Sequence, residues 1–377
     1  MHRRPLLLAP LALALPVRAQ QRITLTVATA GDQNMVDYIT DFLGPRFERA
    51  HPGVRVRAIG TGPGDAGSQR IKERLDAQKG QEATDVDVAV IHQFMAGEMV
   101  KAGMLARYRD AASTGSLVTR DTGRVALGQD VDGYVLPMFH SQTAIAYNPA
   151  IVRDPPQSFE ALEAWVKANP GKFGYNGIRG GMSGVAFVFG WVGALAPNGA
   201  QLFSGPYDAN AHAAWAPALA RLKAFNANVV ITPGNAGTLD ALNRGEIAMG
   251  PVWVDMFYSW QAEGRLSPDL KLAILAPGMP GQPMYYVIPA HAAHADAARA
   301  FIEFSTSPAI QAEGIVKRFN WYPGIDAQHV RAFLSDADWN RLFRDVPPQV
   351  LAERGRQMPI APYFREVQEA YEREVMN

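Results

Sequence analysis

Gly62, Gly64 and Gly67 stand in G-x-G-x-x-G spacing, between the β-like run "VRVRAI" (54–59) and the helix-like run "SQRIKERLDAQK" (68–79). A dinucleotide fingerprint would take that position. It would also need an acid about 20 residues on, at the carboxyl end of the next strand, to hold the ribose. Asp85 and Asp87 have the spacing but start the run "DVDVAVI" (85–91), at the wrong end of the sheet. Gly67 is followed by Ser68-Gln69 instead of Lys-Ser/Thr, which argues against a phosphate loop. What remains is a tight turn using the positive φ angles open to glycine. At a helix start such a turn also offers free backbone N–H groups. Asp65 and Ser68 are placed to cap that helix or to face a ligand.

Other reactive residues form no recognisable machinery. Ser183 stands in Gly181-Met182-Ser183-Gly184-Val185, whose second glycine is misplaced for a nucleophile elbow. His291 and His294 have i, i+3 spacing but no third ligand nearby, so a helix start is the plainer reading. Tyr285-Tyr286 is a paired-tyrosine element, yet neighbours on a strand point to opposite faces, so both could ligate one metal ion only if the chain bends there. No catalytic residue, metal ligand or cofactor is assigned. An exported α/β hydrolase is the competing enzyme reading.

Composition narrows the class further. The chain has 377 residues, 48% of them hydrophobic and 19% charged, which suits two folded domains. It has no net charge, so no global field favours nucleic acid or an acidic membrane. "MHRRPLLLAPLALALPVRA" (1–19) reads as a signal peptide: Arg3 and Arg4, an apolar run from Leu6 to Leu15, and cleavage after Ala19. Twin-arginine export and general secretion both stay open. Removing it leaves a slightly acidic chain, since three arginines go and no acid does. The absence of cysteine excludes disulfides, thiol chemistry and a lipid anchor on an N-terminal cysteine. A free periplasmic monomer, not inserted in the membrane, is expected.

The elements that must position these residues alternate. "RITLTVAT" (22–29), 54–59 and 85–91 read as strands, each followed by a helical pattern, which implies a mostly parallel sheet. "GYVLPMFHSQTAIAYNP" (133–149) is too long for one ordinary strand and reads as a crossing between lobes. Ser158 reads as the N-cap of a helix stopped by Asn169-Pro170-Gly171. "GVAFVFGWVGALAP" (184–197) reads as a buried helix.

Several stretches together resemble one family. "FLGPRFERAHPGVRV", "DVDVAVIHQFMAGEMVKAGMLARY", "DGYVLPMFHSQTAIAYNPAIV", "PPQSFEALEAW", "LNRGEIAMGPVWVDMF" and "YYVIPAHAAHADAARAFIEFSTSPAIQ" are similar, in order and spacing, to segments of the family 1, maltose-binding-protein-like solute receptors of ABC importers. The resemblance covers nearly the whole mature chain, and the "GDQN…GTGPGDAGS" portion looks like a subgroup of largely uncharacterised importer receptors. It implies a type II periplasmic-binding-protein fold, α/β with two lobes, each a mostly parallel sheet flanked by helices. The first lobe would hold 20–139 and 287–320, the second 140–286 and 321–377. Crossings would fall near 137–144, 283–288 and 319–323. A solute would bind in the cleft, the lobes would close by hinge bending, and an inner-membrane permease with its ATPase would take delivery.

Carried over position by position, the resemblance puts the ligand contacts on strand-end loops and crossings. Asp32, Gln33 and Asn34 follow the first strand; Gly64, Asp65 and Ser68 belong to the second loop; His92 and Gln93 follow the third strand. His140 and Gln142 lie in the first crossing, Arg179 and Ser183 in a glycine-rich turn of the second lobe, and Trp253 and Asp255 in the aromatic segment. Tyr285, Trp321 and Tyr322 belong to the later crossings. Two glycine-rich helix starts with Arg179 would suit an anion. Asp32, Asp65 and Asp255 with the aromatic residues would suit a cation such as a polyamine or a thiamine-like compound. A neutral polyol would use the same rings and amides, and because some receptors similar to this family bind iron through two tyrosines, the resemblance also implies ferric iron at Tyr285-Tyr286 as an alternative.

Overall fold

The structure is a computed structural model that describes residues 22–62 and 64–376; the signal-peptide reading falls outside them. Strand β1 (Ile23–Thr29) is followed by helix α1 (Gln33–Asp37), a π-helical turn (Tyr38–Leu43) and α2 (Gly44–Ala50). Then come β2 (Val54–Gly60), α3 (Gly64–Asp76), β3 (Val88–His92) and α4 (Gln93–Lys101). A small hairpin of β4 (Val125–Ala126) and β5 (Gln129–Asp130) precedes the long β6 (Leu136–Tyr147). From Leu25 onward in β1 and throughout β3 the residues are buried on both faces, the pattern of a parallel sheet covered by helices.

Helix α5 (Phe159–Ala168) starts at Ser158, whose Oγ accepts from the Ala161 N–H at 3.2 Å; Phe159, Leu162 and Val166 recur on its buried face. β7 (Phe173–Tyr175) leads into α6 (Met182–Leu195), which is apolar all round and buried from Ser183 to Val192. There follow α7 (His212–Asn226), β8 (Val229–Ile231), α8 (Gly234–Asn243), β9 (Met249–Trp253), α9 (Val254–Ala262) and β10 (Lys271–Ala273). β11 (Met279–Val287) precedes α10 (Ala295–Ser305), α11 (Pro308–Ile310) and a second π-helical turn (Gln311–Lys317). β12 (Tyr322–Pro323), α12 (Asp336–Phe343), α13 (Pro348–Arg354), β13 (Gly355–Arg356) and α14 (Ala361–Glu374) complete the chain. Among the described residues no helix is long and apolar enough to cross a membrane.

One eleven-stranded sheet runs through the molecule in the order β2-β1-β3-β11-β6-β9-β7-β8. β1 pairs in parallel with β2 and β3, whereas β11 runs antiparallel to both β3 and β6. The run 133–149, expected to exceed one strand, holds a single twelve-residue strand that changes partners instead of ending. Up to Gln142 it pairs with β11, and from Thr143 it pairs with β9. β12 lies beside its first half and β10 beside its second. Side chains alternate along it, so Phe139 and Ser141 face one way and His140 and Gln142 the other.

The glycine motif has a steric explanation. Gly62 takes φ +90°, and a Cβ on Gly67 would lie 1.9 Å from the Gly62 carbonyl oxygen. The turn is pinned by Gly31 N–H to Gly62 O (2.8 Å) and by Thr61 Oγ1 to Gly67 O (2.9 Å). Asp85 binds Arg74 at 2.6 Å, and the Asp87 carboxylate accepts from Thr26 N–H at 2.8 Å, so both acids brace the strand start. Replacing glycine by alanine within a helix ordinarily gains about 1 kcal/mol. Gly67→Ala is expected instead to lose about 2–3 kcal/mol, because the clash is with backbone that cannot rotate away. Urea unfolding measures this; a neutral or stabilised variant would show that the loop can open freely.

Candidate ligand-binding cavity

The carboxyl ends of β1, β2 and β3 deliver their loops to one cavity of about 250 Å³, beside the β6–β11 pair. Asp32, Asn34, Asp65, His92 and Trp321 line it, together with Phe94, Phe139, Met182, Gln282 and Met284. Asp32 occupies the N-cap position of α1 without a side-chain cap bond, which leaves its carboxylate to the cavity. His92 Nδ1 lies 2.7 Å from Asp65 Oδ1, and its Nε2 is 2.9 Å from Gln282 Oε1. The Trp321 ring stacks on Phe139 at 4.0 Å and on Phe319 at 4.4 Å between centroids. The wall is thus an aromatic stack held by the β6 face that carries Phe139 and Ser141.

Asp255, in the first turn of α9, accepts from Ser141 Oγ at 2.6 Å and lies against the Trp321 indole. Burial pushes its carboxyl above the usual range, while the Ser141 hydroxyl and the indole pull it back in part. Among the described lining residues there is no lysine or arginine. The cavity therefore presents carboxylates and ring faces with no lysine or arginine beside them, an arrangement that attracts positive charge.

The other residues expected at the site lie elsewhere. Gln33 binds Asp37 at 2.8 Å on the surface. Gly64 opens α3, and Ser68 Oγ is occupied by the His92 backbone N–H at 2.9 Å. Gln93 is buried, and its side-chain amide has no partner among the described residues. Gln142 is buried between β6 and β11, where its Nε2 donates to Thr143 O (2.9 Å) and Met279 O (2.8 Å). Arg179 is exposed and paired with Glu372 at 3.0 Å. Ser183 Oγ donates to Asn235 (2.7 Å) and Asn176 (3.1 Å), bracing the turn before α6. Trp253 is buried at the end of β9. Tyr285 donates to Thr122 O at 2.6 Å within the core, and Tyr322 packs on Phe343. Tyr286 is buried as well, and among the described residues no metal-ligating cluster of His, Asp and Glu occurs.

Sequence reading overlooked Phe94, Phe139 and Gln282. Phe139 was within reach, since alternation puts it on the face of Ser141; Gln282 is the one side-chain amide in the apolar run of β11.

A family model described as bacterial extracellular solute-binding protein matches residues 44–325. No curated protein sequence matches the chain. Among solved structures, a Bordetella parapertussis protein classed as an extracellular solute-binding protein is 15% identical, with a TM-score of 0.71 over 93% of this chain and 97% of that one. An ABC transporter solute-binding protein of Thermotoga lettingae, bound with α-D-tagatose, is 16% identical with a TM-score of 0.68, over 94% of each chain. A spermidine/putrescine ABC transporter substrate-binding protein of Streptococcus pneumoniae is 13% identical with a TM-score of 0.64, over 93% of this chain and 99% of that one. At these identities the likeness concerns the fold.

His140 supplies a pH prediction. Burial first, then the nearby Arg120, lower its pKa from 6.5 to about 3. The unfolded chain takes up a proton there that the native chain refuses, so this contribution is present above pH 6.5 and is lost as pH falls toward 3. Its slope reaches at most about 1.4 kcal/mol per pH unit. Urea-derived stability should therefore fall more steeply with acidification in the wild type than in His140→Gln; equal slopes would contradict a neutral buried His140.

Proposed function

The chain belongs to the bacterial extracellular solute-binding proteins, and from that premise we propose that it captures a small cationic organic solute for an ABC importer. The observation that carries the cationic reading is the half-buried Asp255 carboxylate, bonded to Ser141 behind the Trp321–Phe139 stack that lines the cavity, together with Asp32 and Asp65 in a lining that has no lysine or arginine among the described residues. An ammonium group would supply the counter-charge that burial withholds from Asp255, and the ring faces would hold it by cation–π attraction. Asp32, Asn34, Asp65, His92, Trp321 and Asp255 are the proposed ligand residues.

The working cycle follows the maltose-binding-protein-like reading. Two lobes, 20–139 with 287–320 and 140–286 with 321–377, close on the solute in the periplasm, and an inner-membrane permease with its ATPase receives it. The partner change of β6 between Gln142 and Thr143 supports a boundary there. The fold itself serves both kinds of solute, since the Thermotoga protein holds tagatose and the Streptococcus protein serves spermidine and putrescine; the acids favour the amine. An anion finds little support, because Arg179 is held at the surface by Glu372. Iron finds little from Tyr285, whose hydroxyl is committed to Thr122 O. A hydrolase finds little from Ser183, whose hydroxyl is committed to two asparagines.

A thermal-shift screen of amines, carboxylates and polyols on the mature chain, followed by calorimetric titration, tests this reading. Amines are expected to stabilise the protein. Asp255→Asn should weaken the best amine about tenfold to a hundredfold, the loss typical of a charged hydrogen-bonded contact. Trp321→Ala should weaken it by roughly three- to thirtyfold. Stabilisation by polyols or carboxylates alone, unaffected by Asp255→Asn, would overturn the cationic assignment.

A further inference from the structure

The β6–β11 ribbon has a second face, to which His140 and Gln142 turn, and a separate cavity of about 490 Å³ lies there. Arg120 and His140 line one side of it; Gly190 of α6, Phe203, Leu351 and Arg356 line the rest. None of its lining residues belongs to the acidic cavity on the opposite face.

The hydrogen bonds of Gln142 fix the state of His140. Its Nε2 donates to two carbonyls, so its Oε1 is the atom 3.2 Å from His140 Nε2. An amide oxygen only accepts, so the imidazole proton sits on Nε2 and Nδ1 is a bare acceptor. Nδ1 is buried in a side chain only 5% exposed, and it has no partner among the described residues. The lowered pKa of His140, about 3, keeps that acceptor unprotonated across the physiological range.

The two guanidiniums keep donors to spare. Arg120 spends Nη2 on the carbonyls of Pro323 (2.9 Å) and Gly324 (3.0 Å), which leaves Nη1 without a protein acceptor among the described residues. Arg356 gives one bond each to Glu353 O (2.8 Å) and Pro277 O (2.6 Å), two of its five donors. Asp121 is the lone acid in the lining and is exposed. Asp326 approaches Arg120 to 3.6 Å from outside the cavity, and its carboxylate is already held by Thr119.

We propose that this second cavity binds a small organic anion that also carries a hydroxyl. The anionic group lies between Arg120 and Arg356, and the hydroxyl donates to His140 Nδ1. The site abuts Gln142, where β6 changes partners. It stands independently of the cationic reading of the first cavity.

Calorimetric titration of the mature chain with L-malate, glycerol 3-phosphate and succinate tests the assignment. Malate or glycerol 3-phosphate is expected to bind with one-to-one stoichiometry, and which of them binds separates carboxylate from phosphate. Succinate, which lacks the hydroxyl, should bind roughly five- to tenfold more weakly than malate, the value of one hydrogen bond. Arg356→Ala should weaken binding about tenfold or more. Ala200→Trp, which places a bulky ring in the lining from an exposed position, should abolish it. Asp255→Asn, on the other face, should leave it unchanged. No binding of any of the three compounds, or binding that survives both Arg356→Ala and Ala200→Trp, would overturn the proposal. A change of affinity in either direction in Asp255→Asn would also overturn it by moving the anion to the first cavity, and succinate binding as tightly as malate would remove His140 from the site.

Discussion

One strand supplies hydrogen bonds to two groups of strands, and the rest of the structure depends on that arrangement. β6 serves β11 and β12 with its first half and β9 and β10 with its second, so the sheet continues through the crossing without a free edge. At the changeover, the ordinary ladder is supplemented by side chains. Gln142 bonds the carbonyls of Thr143 and Met279, and Thr143 bonds the carbonyl of Pro280. In a fully buried position, loss of those donors would leave backbone acceptors unsatisfied. An apolar residue of similar size at 142 could pack there but could not meet that demand.

The same strand explains why two cavities of different chemistry lie within a few residues of one another. Alternation turns Phe139 and Ser141 toward the loops of β1, β2 and β3, whose carboxyl ends bring Asp32, Asp65 and His92. His140 turns toward the cavity that Arg120 and Arg356 line, with Gln142 on the same face of the strand. Burial acts on both faces with opposite consequences: it raises the pKa of Asp255, a carboxyl, and lowers that of His140, a base. Each group is poised to gain from a ligand that supplies what burial removes.

Much of the architecture was legible from patterning alone. The β-branched runs at 22–29 and 54–59, the Ser158 cap and the buried helix at 184–197 reported themselves through local physics, because period, capping and apolar length are local properties. The site was less legible. Residues of the right type on the right loops, such as Asp32, Asp65 and His92, reach the cavity, whereas Ser68, Arg179 and Ser183 are consumed by partners far away in sequence or on another element. Nothing in a linear pattern reveals that Glu372 will meet Arg179, or that His92 N–H will occupy Ser68. Glycine was likewise ambiguous: the spacing of Gly62, Gly64 and Gly67 suggests phosphate binding, yet the close approach of Gly67 to the Gly62 carbonyl is sufficient reason for the pattern.

The acid-and-aromatic face of the crossing strands is proposed to recognise positive charge. The most direct test of that proposal is mass spectrometric identification of small molecules released from gently purified, signal-less protein, alongside the same preparation of Asp255→Asn. One amine-bearing compound is expected at one per chain in the wild type, and its loss from the variant. A stoichiometric neutral sugar or organic anion, retained equally by Asp255→Asn, would contradict it.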